Sequence, residues 1–270
     1  MLMYPQFDPI AFSIGPVKFH WYGLMYVLSF SFFLYAAKWR IKKYGHPILT
    51  DKMIDDFLLS GVLGTVIGGR LGFCLFYQPA YYLANPLKIL QTWDGGMSFH
   101  GGMIGVLVAI YLFGRRIKSN FFVVSDFIAP FIPVCLFFGR IGNFINGELW
   151  GRFCSQTLPW GMIFPQSGTM LPRHPSQLYE AGLEGVVLFL VLLFYTTRKS
   201  RLLGQTSGVF LIGYGMARFI LEFFREPDSF ATGVVQATGL SLGQIYSLPM
   251  IIAGIIILWW GTKSKSNLIH

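Results

Sequence analysis

The sequence predicts an all-α integral membrane protein of about seven transmembrane helices, with a small extracytoplasmic lobe between the fourth and fifth spans. Three observations predict this. Charged residues are 12% of the chain, against roughly a quarter in ordinary soluble domains. Apolar residues other than Gly make up 54%, and the mean hydropathy is +0.55. Apolar stretches close to the ~20 residues that cross a bilayer recur from end to end. No long polar segment interrupts them, so residues 1–270 read as a single polytopic membrane domain.

Taken in order, the N-terminal MLMYPQFDPI lacks the basic n-region of a secretory signal, so the apolar run behind it reads as a retained helix. Spans are expected near Tyr22–Ala37, Phe57–Tyr77, Ser98–Gly114, Val123–Ile145, Leu178–Thr197, Gly208–Phe224 and Gly243–Gly261. Lys38, Arg40, Lys42, Lys43 and Lys52 follow the first, and Arg115, Arg116 and Lys118 the third. Arg198, Lys199 and Arg201 follow the fifth; Lys263 and Lys265 follow the last. Basic residues mark cytoplasmic loops, which puts the N-terminus outside and the C-terminus inside. The long connection at 146–177 then falls outside. It holds Pro159, Pro165, Pro172 and Pro175, so it is not one helix and reads as the lobe. Gly64, Gly68 and Gly72 recur at spacing four, as do Gly101 and Gly105, a pattern of close helix packing.

The net charge of +9 does not indicate a nucleic-acid partner, because the basic residues cluster beside apolar runs instead of forming a phosphate-tracking face. Cys74, Cys135 and Cys154 form neither a CxxC nor a metal-ligand spacing, and their odd number gives no disulfide framework. No metal and no cofactor is expected.

Ionisable groups within a bilayer are costly and are therefore candidates for function. Arg70, Arg140 and Arg218 fall within expected spans. Tyr214, Arg218 and Glu222 follow at intervals of four along one helix stripe; Arg140 and Asn143 share another, continued by Gly147. His100 begins the third span among Gly95, Gly96, Gly101 and Gly102. On this topology three helices direct polar groups toward the outer half of the membrane. Arg218 has a structural alternative, an ion pair with Glu222 one turn away. Arg140 has no carboxylate three or four residues off, so its partner is remote or an anionic ligand. Arg70 is open between a functional role and a structural pairing with Asp94 or another buried carboxylate. A planar guanidinium binds phosphate in a bidentate manner and keeps its charge when desolvated. An imidazole can accept a proton from a thiol or hydroxyl. The parts suit a reaction on a phospholipid head group, and the residues alone do not say which bond breaks.

Longer motifs go further. FSIGPVKFHWYGLMY, WDGGMSFHGGMIG, SDFIAP, GRIGNFINGELWGR, RHPSQLYE, IGYGMARF, EFFREPD and the GQI and SLPM of the last span together resemble the bacterial prolipoprotein diacylglyceryl transferases over nearly the whole chain. The resemblance implies a seven-span enzyme of the bacterial cytoplasmic (inner) membrane. It would transfer the diacylglyceryl group of phosphatidylglycerol to the lipobox cysteine of a preprolipoprotein, releasing glycerol phosphate, as the first step of lipoprotein modification. The implied essential positions are Tyr22, His100, Arg140, Asn143, Glu148, Gly151, Tyr214, Arg218 and Glu222, with Asn146 in the same signature. On that footing His100, Arg140 and Arg218 are the expected catalytic residues and the rest bind substrate. A cationic pocket can itself generate thiolate, which leaves His100 helpful rather than indispensable. The competing reading is a transporter of anionic lipids. It predicts internal repeats, and none is visible in the sequence.

Overall fold

The computed structural model describes residues 1–92, 95–197, 201–227, 235, 237–263 and 268–269. Trp93, Asp94, Arg198, Lys199, Asp228 and Lys265, which the sequence reading used, lie outside the described residues. The chain is mostly helical and forms two compact units, Met1–Phe33 with Asp126–Ile269, and Leu34–Ser125.

The second unit is organised by helix α2 (Asp51–Phe76) and helix α4 (Phe99–Arg116), with the short α3 (Pro79–Ala84) between them. Thr50 and Ser98 cap α2 and α4 by accepting from the main-chain N–H of Met53 and Gly101, which satisfies donors that a helix start leaves open. The expected glycine stripes face one another. A Cβ on Gly68 would lie 2.9 Å from the Gly105 Cα, and one on Gly72 would lie 2.7 Å from the Gly101 Cα. Leu59, Leu63, Ile67, Leu71 and Leu75 form an exposed stripe at spacing four along α2. An outward apolar stripe beside an inward small-residue stripe is the arrangement a lipid solvent favours. Arg70 is buried and donates to main-chain carbonyls: those of Ile89, Lys88 and Gln91 at 2.7–2.9 Å, together with that of Gly95; the expected pairing with Asp94 falls outside the described residues. The Arg70 side chain closes the turn at Pro86–Leu90 and stacks over Tyr82.

In the first unit, β1 (Leu2–Met3) is followed by a hairpin of β2 (Ile10–Ile14) and β3 (Val17–His20), then the first half of α1 (Trp21–Tyr44), which passes into the second unit at Leu34. Helix α1 runs on past the expected span, so Lys38, Arg40, Lys42 and Lys43 lie on its last turns instead of in a loop. Helices α5 (Phe121–Ile128) and α6 (Ile132–Ile145) form one apolar rod, tightened at Ala129–Phe131 where Pro130 and Pro133 remove donors. A second rod comprises α7 (Ser176–Glu180), a π-helical stretch at Ala181–Val187 and α8 (Leu188–Thr197). After β5 (Arg201–Leu202) come α9 (Gln205–Leu221) and α10 (Leu242–Lys263), then β6 (Leu268–Ile269). Asp126 accepts hydrogen bonds from the Gly204 and Ser207 N–H groups and the Ser207 hydroxyl at 2.6–2.8 Å, capping α9 from another helix.

Among the described residues four helical stretches, Asp51–Phe76, Phe121–Ile145, Ser176–Thr197 and Leu242–Thr262, are long and apolar enough to cross a membrane. The other three expected spans coincide with helices α1, α4 and α9. The 146–177 segment holds short elements only: β4 (Met162–Ile163), which pairs in parallel with β1, and a single tight turn at Pro165–Ser167. Tyr4 anchors that pairing. Its ring packs with Phe144 and Phe164 in a cluster that includes Met162 and is flanked by Trp150, and its hydroxyl lies 2.7 Å from the Phe144 and Ile145 carbonyls.

Two outcomes follow from these contacts. Gly105→Ala drives a methyl into Gly64 backbone, whereas Gly61→Ala meets nothing within 4 Å. The first variant should lose about 1–3 kcal/mol and melt lower in micelles, and the second should melt like the parent. His46 accepts from the Ile48 and Leu49 N–H groups at 3.2 and 3.0 Å, and burial, then Arg40, hold its imidazole down to about 4. The unfolded chain therefore takes up the proton first. Stability is fully present above the ordinary value of 6.5 and is lost as pH falls toward about 4. A His46→Asn variant should show a flatter melting-temperature profile across that window.

Candidate active site

Elements of the first unit bring a group of charged side chains together. Helix α6 carries Arg140 and Asn143 on one face; the Ser176–Thr197 rod carries Glu180 and Glu184. Helix α9 carries Tyr214 and Arg218, and Glu222 and Arg225 follow at its end. The rod and α6 approach closely at Gly185, where a Cβ would lie 2.7 Å from the Phe137 Cβ. Arg140 stands one turn beyond Phe137, which sets it against the glutamates.

Arg140 donates from Nε and Nη2 to Glu184 Oε2 at 3.2 and 3.0 Å, and its Nη1 lies 3.0 Å from Glu180 Oε2. The other oxygen of Glu180 accepts from Arg218 Nη1 at 3.0 Å. Arg218 Nη2 pairs with Glu222 Oε1, which also accepts from Arg225 Nη1 at 3.3 Å. Glu222 is held in turn by the Ser241 hydroxyl at 2.7 Å. Ser241 caps α10 reciprocally with Gln244, at 3.1 and 3.0 Å, in the manner of a capping box. Three guanidiniums and three carboxylates thus alternate, and their formal charges cancel. The side chains of Glu180 and Glu184 are 0% exposed, against 18% for Arg140 and 14% for Arg218. The two glutamates are therefore fully enclosed, while the arginine side chains that cover them keep a small exposed surface. A guanidinium has five N–H donors in a planar fork, so Arg140 retains donors beyond those given to the glutamates. Such a surface suits a phosphate.

The GRIGNFINGELWGR segment frames this cluster. Asn143 Nδ2 donates to Glu148 Oε1 at 2.9 Å, and Asn146 Nδ2 reaches the same oxygen at 3.4 Å. Gln177 and Ser176 hold the loop through the Glu148 and Leu149 carbonyls, at 2.6 and 3.0 Å. Gly151 lies where two other backbones cross: a Cβ there would be 2.5 Å from the carbonyl oxygens of both His174 and Phe224. Tyr22, at the start of α1, lies against Gly142.

The whole motif set has counterparts. Residues 9–260 match the prolipoprotein diacylglyceryl transferase family. The chain belongs to that family. It is 56% identical over 267 residues to a phosphatidylglycerol–prolipoprotein diacylglyceryl transferase of Bordetella avium, with 99% of each chain covered. A transferase of that name from Dechloromonas aromatica is 55% identical, covering 98% of this chain and 100% of its own. One from Nitrosomonas europaea is 54% identical, with 97% and 93% covered.

Among the expected site residues of this transferase-family chain, Arg140, Asn143, Asn146, Glu148, Gly151, Tyr214, Arg218, Glu222 and Tyr22 all lie in the first unit. The structural side of the Arg218 alternative is present: it pairs with Glu222, and with Glu180 and Glu184 as well. The remote partner of Arg140 is a pair of glutamates. His100 lies in the second unit, exposed on the first turn of α4 and edge-on to Phe99. Glu180 and Glu184 were missed, although both fall in an expected span. An acid within a span is as costly as a Lys or Arg, so the sequence signal for both lies in their position alone. Arg225 and Ser241 carry no such signal, because each lies at a helix end where polar residues are ordinary.

A Gly151→Ala variant must displace two main-chain carbonyls, those of His174 and Phe224. It should lose about 1–3 kcal/mol of stability and show faster proteolysis within residues 146–177 than the parent in micelles.

Proposed function

We propose that the chain transfers the diacylglyceryl group of phosphatidylglycerol to the thiol of the lipobox cysteine of a preprolipoprotein, releasing glycerol phosphate. The carrying observation is family membership across residues 9–260, with relatives above 50% identity that bear this activity in their names. The cluster around Arg140 and Arg218 supplies the matching chemistry. The cysteine sulfur forms a bond to the glyceryl carbon as the C–O bond to phosphate breaks, and the electron pair leaves on the phosphate oxygen. Arg140 and Arg218 hold that phosphate and offset the charge that builds on it, the kind of stabilisation that preorganised donors supply best. Glu222 fixes Arg218. Asn143, Asn146 and Glu148 form the polar frame beside Arg140, Gly151 permits its backbone crossing, and Tyr22 and Tyr214 bind the head group. His100 accepts the thiol proton. A thiol is nucleophilic only as thiolate.

In this reading the chain is one polytopic domain of a bacterial inner membrane. It crosses seven times, with the N-terminus and the 146–177 lobe outside and the C-terminus in the cytoplasm. Supporting this are the basic residues at alternate helix ends and the apolar stripes that face outward.

The test uses purified protein in micelles with phosphatidylglycerol and a lipobox peptide. Glycerol phosphate release and peptide mass are followed, with a Cys→Ser peptide and phosphatidylethanolamine as controls. Transfer that needs both the thiol and the glycerol head group is expected; folded protein that releases nothing from the complete mixture sinks the assignment. Arg140→Ala should lower kcat/KM by roughly 100-fold or more. His100→Gln should lower it by about 100-fold, with an altered pH profile, and near-normal activity across pH would remove the proton-acceptor role.

A further inference from the structure

Glu180 and Glu184 stand apart from the groups assigned to the substrates. Neither has any exposed side-chain surface, so neither touches donor or thiol directly. Each instead lies behind the guanidiniums that do. An arginine side chain is long and loses considerable rotamer freedom when fixed, and its backbone alone does not set where its planar head lies. Here Arg140 is fixed at three nitrogens by two carboxylates. Glu180 gives one oxygen to each arginine, both at 3.0 Å. Glu180 thus bridges the two cations closely, and Glu184 spans them more loosely, with its other oxygen 3.6 Å from Arg218 Nη1. Arg218 is fixed from its other side by Glu222.

The backbone supports this arrangement. Glu180 ends α7 and Glu184 lies within the π-helical stretch at Ala181–Val187. The wider π turn is rare in ordinary helices and recurs at functional sites. Close contact at Gly185 and Phe137 fixes that stretch against the helix that bears Arg140. We propose that Glu180 and Glu184 are positioning residues that hold Arg140 and Arg218 as one phosphate-binding pair, with Glu180 the shared bridge. The inference rests on the phosphate role given to the two arginines above. Replacing a glutamate by glutamine keeps its volume but turns an amide donor toward a guanidinium and removes the charge that aligns it. The arginine head then turns away, and the pair loses its spacing while both arginines remain.

The experiment compares Glu180→Gln, Glu184→Gln, Glu180→Asp, Glu184→Asp, Arg140→Ala and Arg218→Ala as full chains in micelles. KM and kcat are measured separately for phosphatidylglycerol and for the lipobox peptide, beside the melting temperature. Misplacing a catalytic group by about 1 Å costs roughly 100-fold, and a loss of that order in kcat/KM for phosphatidylglycerol is expected from each glutamine variant. The KM for the peptide should stay unchanged. Glu180→Asp keeps the charge and should recover part of the loss. A structural role alone would lower the melting temperature and leave the kinetics of the folded fraction intact. Wild-type kinetics in both glutamine variants, with both arginine variants inactive, overturns the positioning role and leaves the proposed function standing. Wild-type activity in the arginine variants instead removes the phosphate role, and the positioning role with it. If the glutamine variants do not fold, the aspartate variants decide: reduced kcat/KM at an unchanged melting temperature supports the proposal, and unaltered kinetics overturns it.

Discussion

An ionised carboxylate taken out of water costs several kcal/mol, and Glu180 and Glu184 have no side-chain contact with solvent. Both are tolerable only because arginines from two other helices reach them. The dependence is mutual, since Arg140 and Arg218 also lie within apolar helices, where an unpaired guanidinium costs about 2.5–3.5 kcal/mol at the least. The cluster therefore acts as one unit: removing any member leaves a buried charge without its counter-charge, a loss on the order of 3–5 kcal/mol. Its formal neutrality lets the first unit assemble without a ligand, while unspent N–H donors on the arginines remain for an anion.

Close backbone approach is the second condition. Ion pairs of 3.0 Å require that α6, the Ser176–Thr197 rod and α9 pack with little between them. The sequence meets that demand with Gly185 against Phe137 and Gly213 against Leu188. Gly215 and Gly254 do the same between α9 and α10, whose start presents Ser241 to Glu222. Small residues at interfaces are how helices associate in lipid, where burial of apolar surface gives no advantage. Packing and electrostatics are thus not separable here, because the glycines determine whether the charges meet.

Much of this could be read directly from the residues. The helical class, the apolar runs, the glycine stripes of α2 and α4 and the stripe of Tyr214, Arg218 and Glu222 all depend on local periodicity, which a single chain displays. Arg140 was correctly seen to need a remote partner. The identity of that partner was not legible, because Glu180 and Glu184 lie about forty residues away and are joined to it only by tertiary packing. Arg70 illustrates the same limit in another form. The sequence leaves it open between a functional role and a carboxylate partner, and the main-chain carbonyls at a turn that accept from it leave no trace in residue type. The break at Pro130 is visible in the sequence; the π-helical stretch is not, since no residue there forbids an α-helix.

The pairing of β1 with β4 has a consequence for the order in which the chain can be completed. Leu2 meets Met162, and the Tyr4 hydroxyl meets the end of α6 some 140 residues further on. Between the two segments of the first unit, the chain lays down all of Leu34–Ser125. At about 5–20 residues per second, the partner of the first strand emerges on the order of ten seconds after the strand itself. During that interval β1 has no native partner for its backbone, although the hairpin behind it can already pair, and the Tyr4 ring has no pocket. The inserted unit, whose contacts are local, can be finished while the unit that surrounds it in sequence is still open. Closure at Tyr4 is thus a late event of biosynthesis, imposed by where two short strands lie along the chain.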